Sequence, residues 1–323
     1  MARFLLTGAA GFIGSHVAEA LLSRGDEVVG VDNFNAFYDP ALKEENARAL
    51  LSREGFSLVR GDLLDARARA ALFEGEAYDA VIHLAAWAGV RPSIEDPARY
   101  QRENVEATVG LMDEMRAAER RWGSLPKLIF ASSSSVYGAN EKVPFSEEDP
   151  VDHPVSPYAA TKKCGELLAY TYHHLFGLKV SCLRFFTVYG PRQRPEMAIH
   201  KFARLMMSGE PIPMYGDGGT ARDYTFIADI TAGVLAATDR ASGYHIYNLG
   251  NSDTVRLDAL IAKLGEALGV EPRIERLPEQ PGDVPITYAD VSRARAELGY
   301  DPKVSIDEGL ARFAEWFLAT RRR

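Results

Sequence analysis

Apolar residues along this chain follow two periods. Short, nearly continuous apolar runs (RFLLTG, EVVGVD, FSLVRGD, AVIHLAA, KLIFASS and KVSCLRFF) recur through roughly the first 190 residues. Between them lie stretches such as HVAEALLSRG and VEATVGLMDEMRAAERR, whose apolar positions repeat at helical spacing. Strands without polar alternation are buried on both faces, and their regular exchange with amphipathic helices predicts a parallel sheet covered on each side. The expected fold class is therefore α/β, doubly wound. From about residue 191 the pattern loosens, and SGEPIPMYGDGGTARD and RLPEQPGDVP place glycine- and proline-rich loops around short helices. The run YTFIADITAGVLAATDR reads as a return to the sheet. The chain is thus expected to form a cofactor-type domain of residues 1–190 plus about 223–249. A smaller, discontinuous C-terminal domain of about 191–222 plus 250–323 would complete it.

Composition narrows this picture without changing it. The 323 residues carry 25% charged side chains and a net charge of −8, which describes a globular chain and argues against a general nucleic-acid binder. A local basic pocket for an anionic small molecule stays possible. The N-terminal MARFLLTGAAGFIG breaks into glycines after a short apolar run, so neither a secretion signal nor a membrane span is expected. Cys164 and Cys182 are the only cysteines, too few for a disulfide framework, and both are expected reduced, in a cytoplasmic protein. His173 and His174 near the end of a predicted helix suit its dipole. No acid or cysteine stands at ligand spacing from them, so no metal is expected. His83, at a predicted strand end, reads as structural, and the acidic SEEDPVDHP as a solvated loop.

TGAAGFIG sets Gly8, Gly11 and Gly14 between a predicted strand and a predicted helix. A pyrophosphate needs such a tight turn, close backbone approach and a helix N-terminus that favours anions. The spacing departs from the strict G-x-G-x-x-G, so the context must support it. The second predicted strand ends at Asp32, beside Asn33, where a carboxylate can bind both hydroxyls of an adenine-side ribose and repel a 2′-phosphate, selecting NAD over NADP. Taken alone, Asp32 reads equally well as a solvated turn residue. Asp62 and Leu63 of RGDLLD are placed to flank an adenine, and Leu84, Ala85 and Ala86 end another strand with small residues beside which a cofactor can lie. Phe12 and Ile13 complete the turn, giving a Rossmann-type cofactor site.

YAATK puts Tyr158 and Lys162 one turn apart on one face of a predicted long helix, SPYAATKKCGELLAYTYHHLFG. An ammonium beside a phenol stabilises the phenolate and lowers its pKa from about 10, so that tyrosine can take a hydroxyl proton while hydride leaves the same carbon. Tyr-x-x-x-Lys is common on helices. Its weight here comes from following a cofactor cradle and a serine row, FASSSSVYG, at a strand end.

Together TGAAGFIG, Asp32, ASSSSVYG, YAATK, RFFTVYGP, RDY and PGD resemble the extended short-chain dehydrogenase/reductase family of nucleotide-sugar enzymes, in order from the N-terminus to about residue 300. DNFNAFYDPALKEENARALL and FFTVYGPRQRPEMAIHKF are most similar to its UDP-glucuronate 4-epimerases. The resemblance implies tightly bound NAD, Tyr158 as base, Lys162 as its electrostatic partner and nicotinamide-ribose ligand, and Ser133 hydrogen-bonded to the sugar O4. Hydride would leave C4, the 4-keto sugar would turn over, and hydride would return to the other face. The equivalent helices often pair in the family, which implies a homodimer.

Related dehydratases carry acids after the catalytic hydroxyl, and decarboxylases often a glutamate; here Ser134 and Ser135 stand there. Neutral hydroxyls do acid work poorly. With Thr187, where a neutral-sugar epimerase more typically has asparagine, they can instead hold a C5 carboxylate out of alignment with a C4 carbonyl and suppress loss of CO₂. Ser134 and Ser135 could also merely satisfy their own turn. For the nucleotide, the resemblance implies Arg222 at the diphosphate, Tyr215 stacked on uracil and Asp283 near the uridine ribose. Gln280 stands where many relatives have arginine, so a phosphate contact is sought from Arg192 or, the better match, Arg194. Arg91 is a further candidate, toward the cofactor or the sugar acid. The alternatives are a UDP-glucose or UDP-N-acetylglucosamine 4-epimerase, a decarboxylating UDP-glucuronate enzyme, or an NAD-binding protein without turnover. The last would be expected to lose Tyr158 or Lys162, and both are present.

Overall fold

A computed structural model describes residues 1–278 and 284–321. The strands are β1 (Arg3–Thr7), β2 (Glu27–Asp32), β3 (Phe56–Arg60), β4 (Ala80–His83), β5 (Lys127–Ser133), β6 (Val180–Phe185), β7 (Thr187–Tyr189), β8 (Ile212–Tyr215), β9 (Ala221–Arg222), β10 (Tyr224–Phe226), β11 (Tyr244–Leu249), β12 (Val255–Arg256) and β13 (Ile274–Leu277). The helices are α1 (Phe12–Ser23), α2 (Pro40–Leu51), α3 (Ala66–Leu72), α4 (Val90–Glu95), α5 (Pro97–Gln101), α6 (Ala107–Trp122), α7 (Pro157–Phe176), α8 (Ala198–Met207), α9 (Ile227–Arg240), α10 (Leu257–Leu268), α11 (Ser292–Leu298) and α12 (Ile306–Arg321).

Seven strands form one parallel sheet in the order β11-β6-β5-β4-β1-β2-β3. The expected α/β class holds, because the apolar runs of β1, β2, β4, β5 and β6 are buried almost throughout. Strand β11, YHIYNL, was not among the apolar runs; its mixed composition conceals an edge strand that pairs with β6 from Tyr244 to Leu249. Strand order reverses between β1 and β4, which opens a crevice at the carboxyl ends of both.

Two apolar cores sandwich the sheet. One gathers Leu111, Met112 and Met115 of α6 against Leu5, Val81 and Leu128. The other runs from Leu6, Ile82 and Ile129 through Ile230 and Val234 of α9 to Leu260, Leu264, Leu310 and Phe313 of the C-terminal helices. The smaller strands pair as β7 with β10, β8 with β13 and β9 with β12.

Helix α7 realises the long helix expected from its sequence. The Ser156 hydroxyl accepts from the Ala159 N–H at 3.1 Å, Pro157 takes the first turn where no N–H is needed, and Gly177 ends the helix at φ 72°. It rides closely on β5: a Cβ at Gly165 would lie 2.3 Å from the Phe130 ring. No helix of the described residues is long and apolar enough to cross a membrane.

Candidate active site

The glycine turn is built as its sequence requires. Gly8, at φ 70°, donates to Val31 O at 2.8 Å, and Gly11 donates back to Gly8 O at 3.0 Å. A Cβ on Gly8 would meet Ala85 N at 2.9 Å, and one on Gly14 would meet Gly8 O at 2.0 Å, so β1, β4 and α1 close in only without side chains. Helix α1 begins at Gly11 with no side-chain cap and no acidic residue in its first turn, which leaves its N–H groups for an anion.

Asp32 ends β2 almost buried and accepts from Ala10 N at 3.1 Å and Phe34 N at 2.9 Å. Asn33 donates to Asp62 Oδ2 at 3.1 Å, which joins two of the expected cofactor residues. Lys43 on α2 was not singled out from the sequence. Its ammonium lies 3.9 Å from Asp32 Oδ1, donates to Asn35 Oδ1 at 3.0 Å and sits 5.0 Å from the Tyr38 ring. Burial lowers its pKa, and the Asp32 charge works against that. In PALKEEN, a lysine at helical spacing looks like any solvated one; the fold of residues 33–39 turns it inward. Phe37, Trp87 and Glu103 also line the cavity without having carried a sequence signal.

His83 is structural in its geometry. Thr108 Oγ1 donates to Asn104 O at 2.6 Å and Ala85 N donates to Thr7 Oγ1 at 3.0 Å, so Thr108 accepts from His83 Nε2–H and Thr7 donates to Nδ1, at 2.9 and 2.7 Å. Burial, aided by the Lys162 charge, lowers the His83 pKa to about 3, and the ring stays neutral.

At the end of β5, Ser133 Oγ lies 2.5 Å from Ser135 Oγ and accepts from Ser135 N at 3.2 Å. Part of the row therefore does satisfy its own turn. Tyr158, Lys162 and Ser133 converge on the cavity: the Ser133 hydroxyl acts on the Tyr158 phenol to lower its pKa, and the Lys162 ammonium lies 5.9 Å from the Tyr158 ring. The direction of the Tyr158 pKa is set by burial. Burial raises it, against the Ser133 hydrogen bond and the Arg194 charge. Burial also lowers the Lys162 pKa to about 7, and its ammonium donates to Ala131 O at 2.8 Å rather than to the phenol.

Arg194 is the cation whose field favours the phenolate. Arg194→Ala should therefore raise the Tyr158 pKa and move the limb of kcat that rises with pH to higher pH; a pH–rate profile with an unmoved limb would remove this role from Arg194.

One cavity of about 590 Å³ is lined by Gly8, Gly11, Phe12, Ile13, Gly14, Asp32, Asn33, Asp62, Leu63, Leu84, Ala85 and Ala86 at one end. Ser133, Ser134, Ser135, Tyr158, Lys162, Thr187, Arg91, Arg194 and Arg222 line the rest. Tyr215 stands outside the lining, 5.7 Å beneath the Arg91 guanidinium, so its expected place against uracil depends on that arginine. Arg192 turns away: at φ 63° it pairs with Glu19 of α1 at 2.6 Å and does not line the cavity, unlike Arg194. Asp283 and Gln280 lie outside the described residues. No cluster of three histidine, cysteine or acidic residues suited to a metal occurs among the described residues, and Cys164 and Cys182 are unpaired.

A switch-point crevice with a glycine cradle and a Ser, Tyr and Lys set at strand and helix ends defines an extended short-chain dehydrogenase/reductase. The family model described as GDP-mannose 4,6 dehydratase matches residues 5–313, and the chain belongs to this family of nucleotide-sugar enzymes. It is 46% identical to UDP-glucuronate 4-epimerase 1 of Arabidopsis thaliana, over 98% of this chain and 76% of that protein. It is 43% identical to a UDP-glucuronate 4-epimerase of Thermodesulfobacterium geofontis, over 98% and 96%. The solved UDP-glucuronic acid 4-epimerase of Bacillus cereus, in complex with UDP-glucuronic acid and NAD, superposes with TM-score 0.91 at 36% identity, covering 98% of this chain and 99% of that one.

Proposed function

We propose that this protein interconverts UDP-glucuronate and UDP-galacturonate by NAD-dependent epimerisation at C4. The observation that carries the reading is one continuous cavity whose lining joins the glycine cradle and Asp32 to Ser133, Tyr158 and Lys162, and takes in Ser134, Ser135, Thr187 and Arg194. The cradle suits a dinucleotide because the bare Gly8 and Gly14 let β1, β4 and α1 close into a tight turn, leaving the uncapped N-terminus of α1 for the pyrophosphate and Asp32 for the ribose. Bound NAD supplies a hydride acceptor and donor at C4.

The residues of the chain do the rest. Tyr158 takes the proton of the 4-hydroxyl, Ser133 holds O4, and Lys162 anchors the nicotinamide-side ribose. Proton return from Tyr158 completes the inverted alcohol, with no net oxidation. Arg222, Arg91 and Arg194 surround the anionic part of the substrate, with Tyr215 toward the uridine. Ser134, Ser135 and Thr187 clamp the C5 carboxylate, and neutral hydroxyls at these positions favour epimerisation over dehydration. The residue assignments and the division into 1–190 plus 223–249 and 191–222 plus 250–323 belong to this reading. So do a cytoplasmic setting and a homodimer, the latter supported by Leu167, Tyr170 and Leu175, which are 55%, 52% and 61% exposed along α7.

The test is to mix purified protein with UDP-glucuronate, without added NAD, and follow the sugar ring by proton NMR. A galacto-configured uronate supports the reading; pentose with CO₂ points to decarboxylation, and turnover of UDP-glucose alone to a neutral-sugar epimerase. In the same assay Thr187→Ala should weaken uronate binding by about tenfold, the worth of a hydrogen bond to a charged group, and raise the pentose fraction. Unchanged affinity and product ratio would remove Thr187 from the clamp.

A further inference from the structure

Ser132 is the hydroxyl of the serine row that the reading above leaves without a task. Its Oγ donates to Glu166 Oε1 at 2.6 Å, and both side chains are buried. Arg184 of β6 grips the same carboxylate, Nε to Oε1 and Nη2 to Oε2, each at 2.9 Å. Burial works to raise the Glu166 pKa, yet the Arg184 and Ser132 contacts hold it below the usual value, so it is ionised.

The neighbours of Ser132 are tied to the same helix. Lys162 donates to Ala131 O at 2.8 Å, and the Ser133 hydroxyl is near enough to the Tyr158 phenol to lower its pKa. Residues 131, 132 and 133 of β5 thus meet residues 162, 166 and 158 of α7, which stand four apart on one helical face. Apolar packing alone leaves a helix free to settle along a strand, because dispersion contacts have little direction. A buried ion pair forfeits the hydration of both charges, and apolar residues could fill the same space without that loss. What the pair adds here is a directional bond between the two elements that carry the reacting groups.

We propose that Glu166, acting through Ser132, is a positioning residue: it sets the end of β5 against the Tyr158 and Lys162 face so that Ser133 and the phenol reach one substrate hydroxyl together. Arg184 keeps Glu166 ionised and immobile. The inference rests on the epimerase reading, in which Ser133 and Tyr158 share O4.

Ser132→Ala removes one oxygen and leaves the Glu166–Arg184 pair in place. With UDP-glucuronate it should lower kcat about tenfold at unchanged KM, with wild-type cofactor content and nearly wild-type Tm, because the loss is one of alignment in the reacting complex. Glu166→Gln should lower kcat comparably, and in the double variant the losses should not multiply, since both act through one contact. Wild type and Tyr158→Phe run alongside: if wild type does not epimerise, the functional reading fails. If it does and Ser132→Ala stays within twofold in kcat, or loses only in KM, or the double variant is multiplicative, the positioning role alone is overturned.

Discussion

Tyr158→Phe should lower turnover of UDP-glucuronate by about 10²- to 10⁴-fold, the range of general-base contributions, while the protein keeps its fold and its cofactor. The substitution removes one oxygen from a ring held edge-on by Tyr100 at a centroid distance of 6.2 Å, a contact phenylalanine can keep. Ser133 would lose its partner and the 4-hydroxyl its proton acceptor. Because burial raises the phenol pKa in the protein alone, wild-type kcat should also rise with pH through the range in which the phenol ionises. Proton NMR of the sugar ring measures both. Activity above a tenth of wild type in Tyr158→Phe would take the proton-transfer role from this residue.

Gly14→Ala should cost about 3 kcal/mol of stability or more and yield protein that purifies without cofactor. The new Cβ would stand 2.0 Å from Gly8 O, 2.8 Å from Gly8 C and 3.0 Å from Ala9 Cα. All three are backbone atoms of the glycine turn, so no rotamer relieves the clash; either α1 backs away from β1 or the turn opens. Gly11→Ala is the control, since its Cβ would meet only Gly8 O at 3.2 Å. Thermal unfolding and the absorbance of nucleotide released on denaturation measure the two effects. A Gly14→Ala protein with wild-type Tm and cofactor would refute the close-packing account of the cradle.

These effects differ in how legible they were. The glycine turn, Asp32 and the Tyr158–Lys162 pair show in the chain because each depends on neighbours within a few residues: a turn, a strand end, a helical face. The α/β class shows for the same reason, since burial on both faces is written into each strand. Lys43 did not show, because its approach to Asp32 is made by the loop between them and by the docking of α2. Arg192 and Arg194 were both candidates for a phosphate contact, with only family resemblance favouring Arg194. Only the turn of the backbone at Arg192, φ 63°, sends one side chain to Glu19 and the other into the cavity.

The direction of the Tyr158 pKa shows the same division. Helical spacing brings Lys162 near the phenol, as the sequence implies, but the sign of the shift follows from how completely both groups leave water. Desolvation depends on every element that closes over them, and at Tyr158 it outweighs the opposing Ser133 hydroxyl and Arg194 charge. Glu166 and Arg184, ordinary charged residues at positions 18 apart, meet in the interior only because α7 lies on β5 and β6. By itself the sequence determined the class of fold, the glycine turn and the placing of Tyr158 and Lys162 on one helical face, since short-range geometry and residue chemistry carry these. The tertiary structure alone decided which charges face the cavity, which pair beneath it, and which protonation states the buried groups prefer, because Coulomb and solvation energies depend on distances that only the packed chain sets.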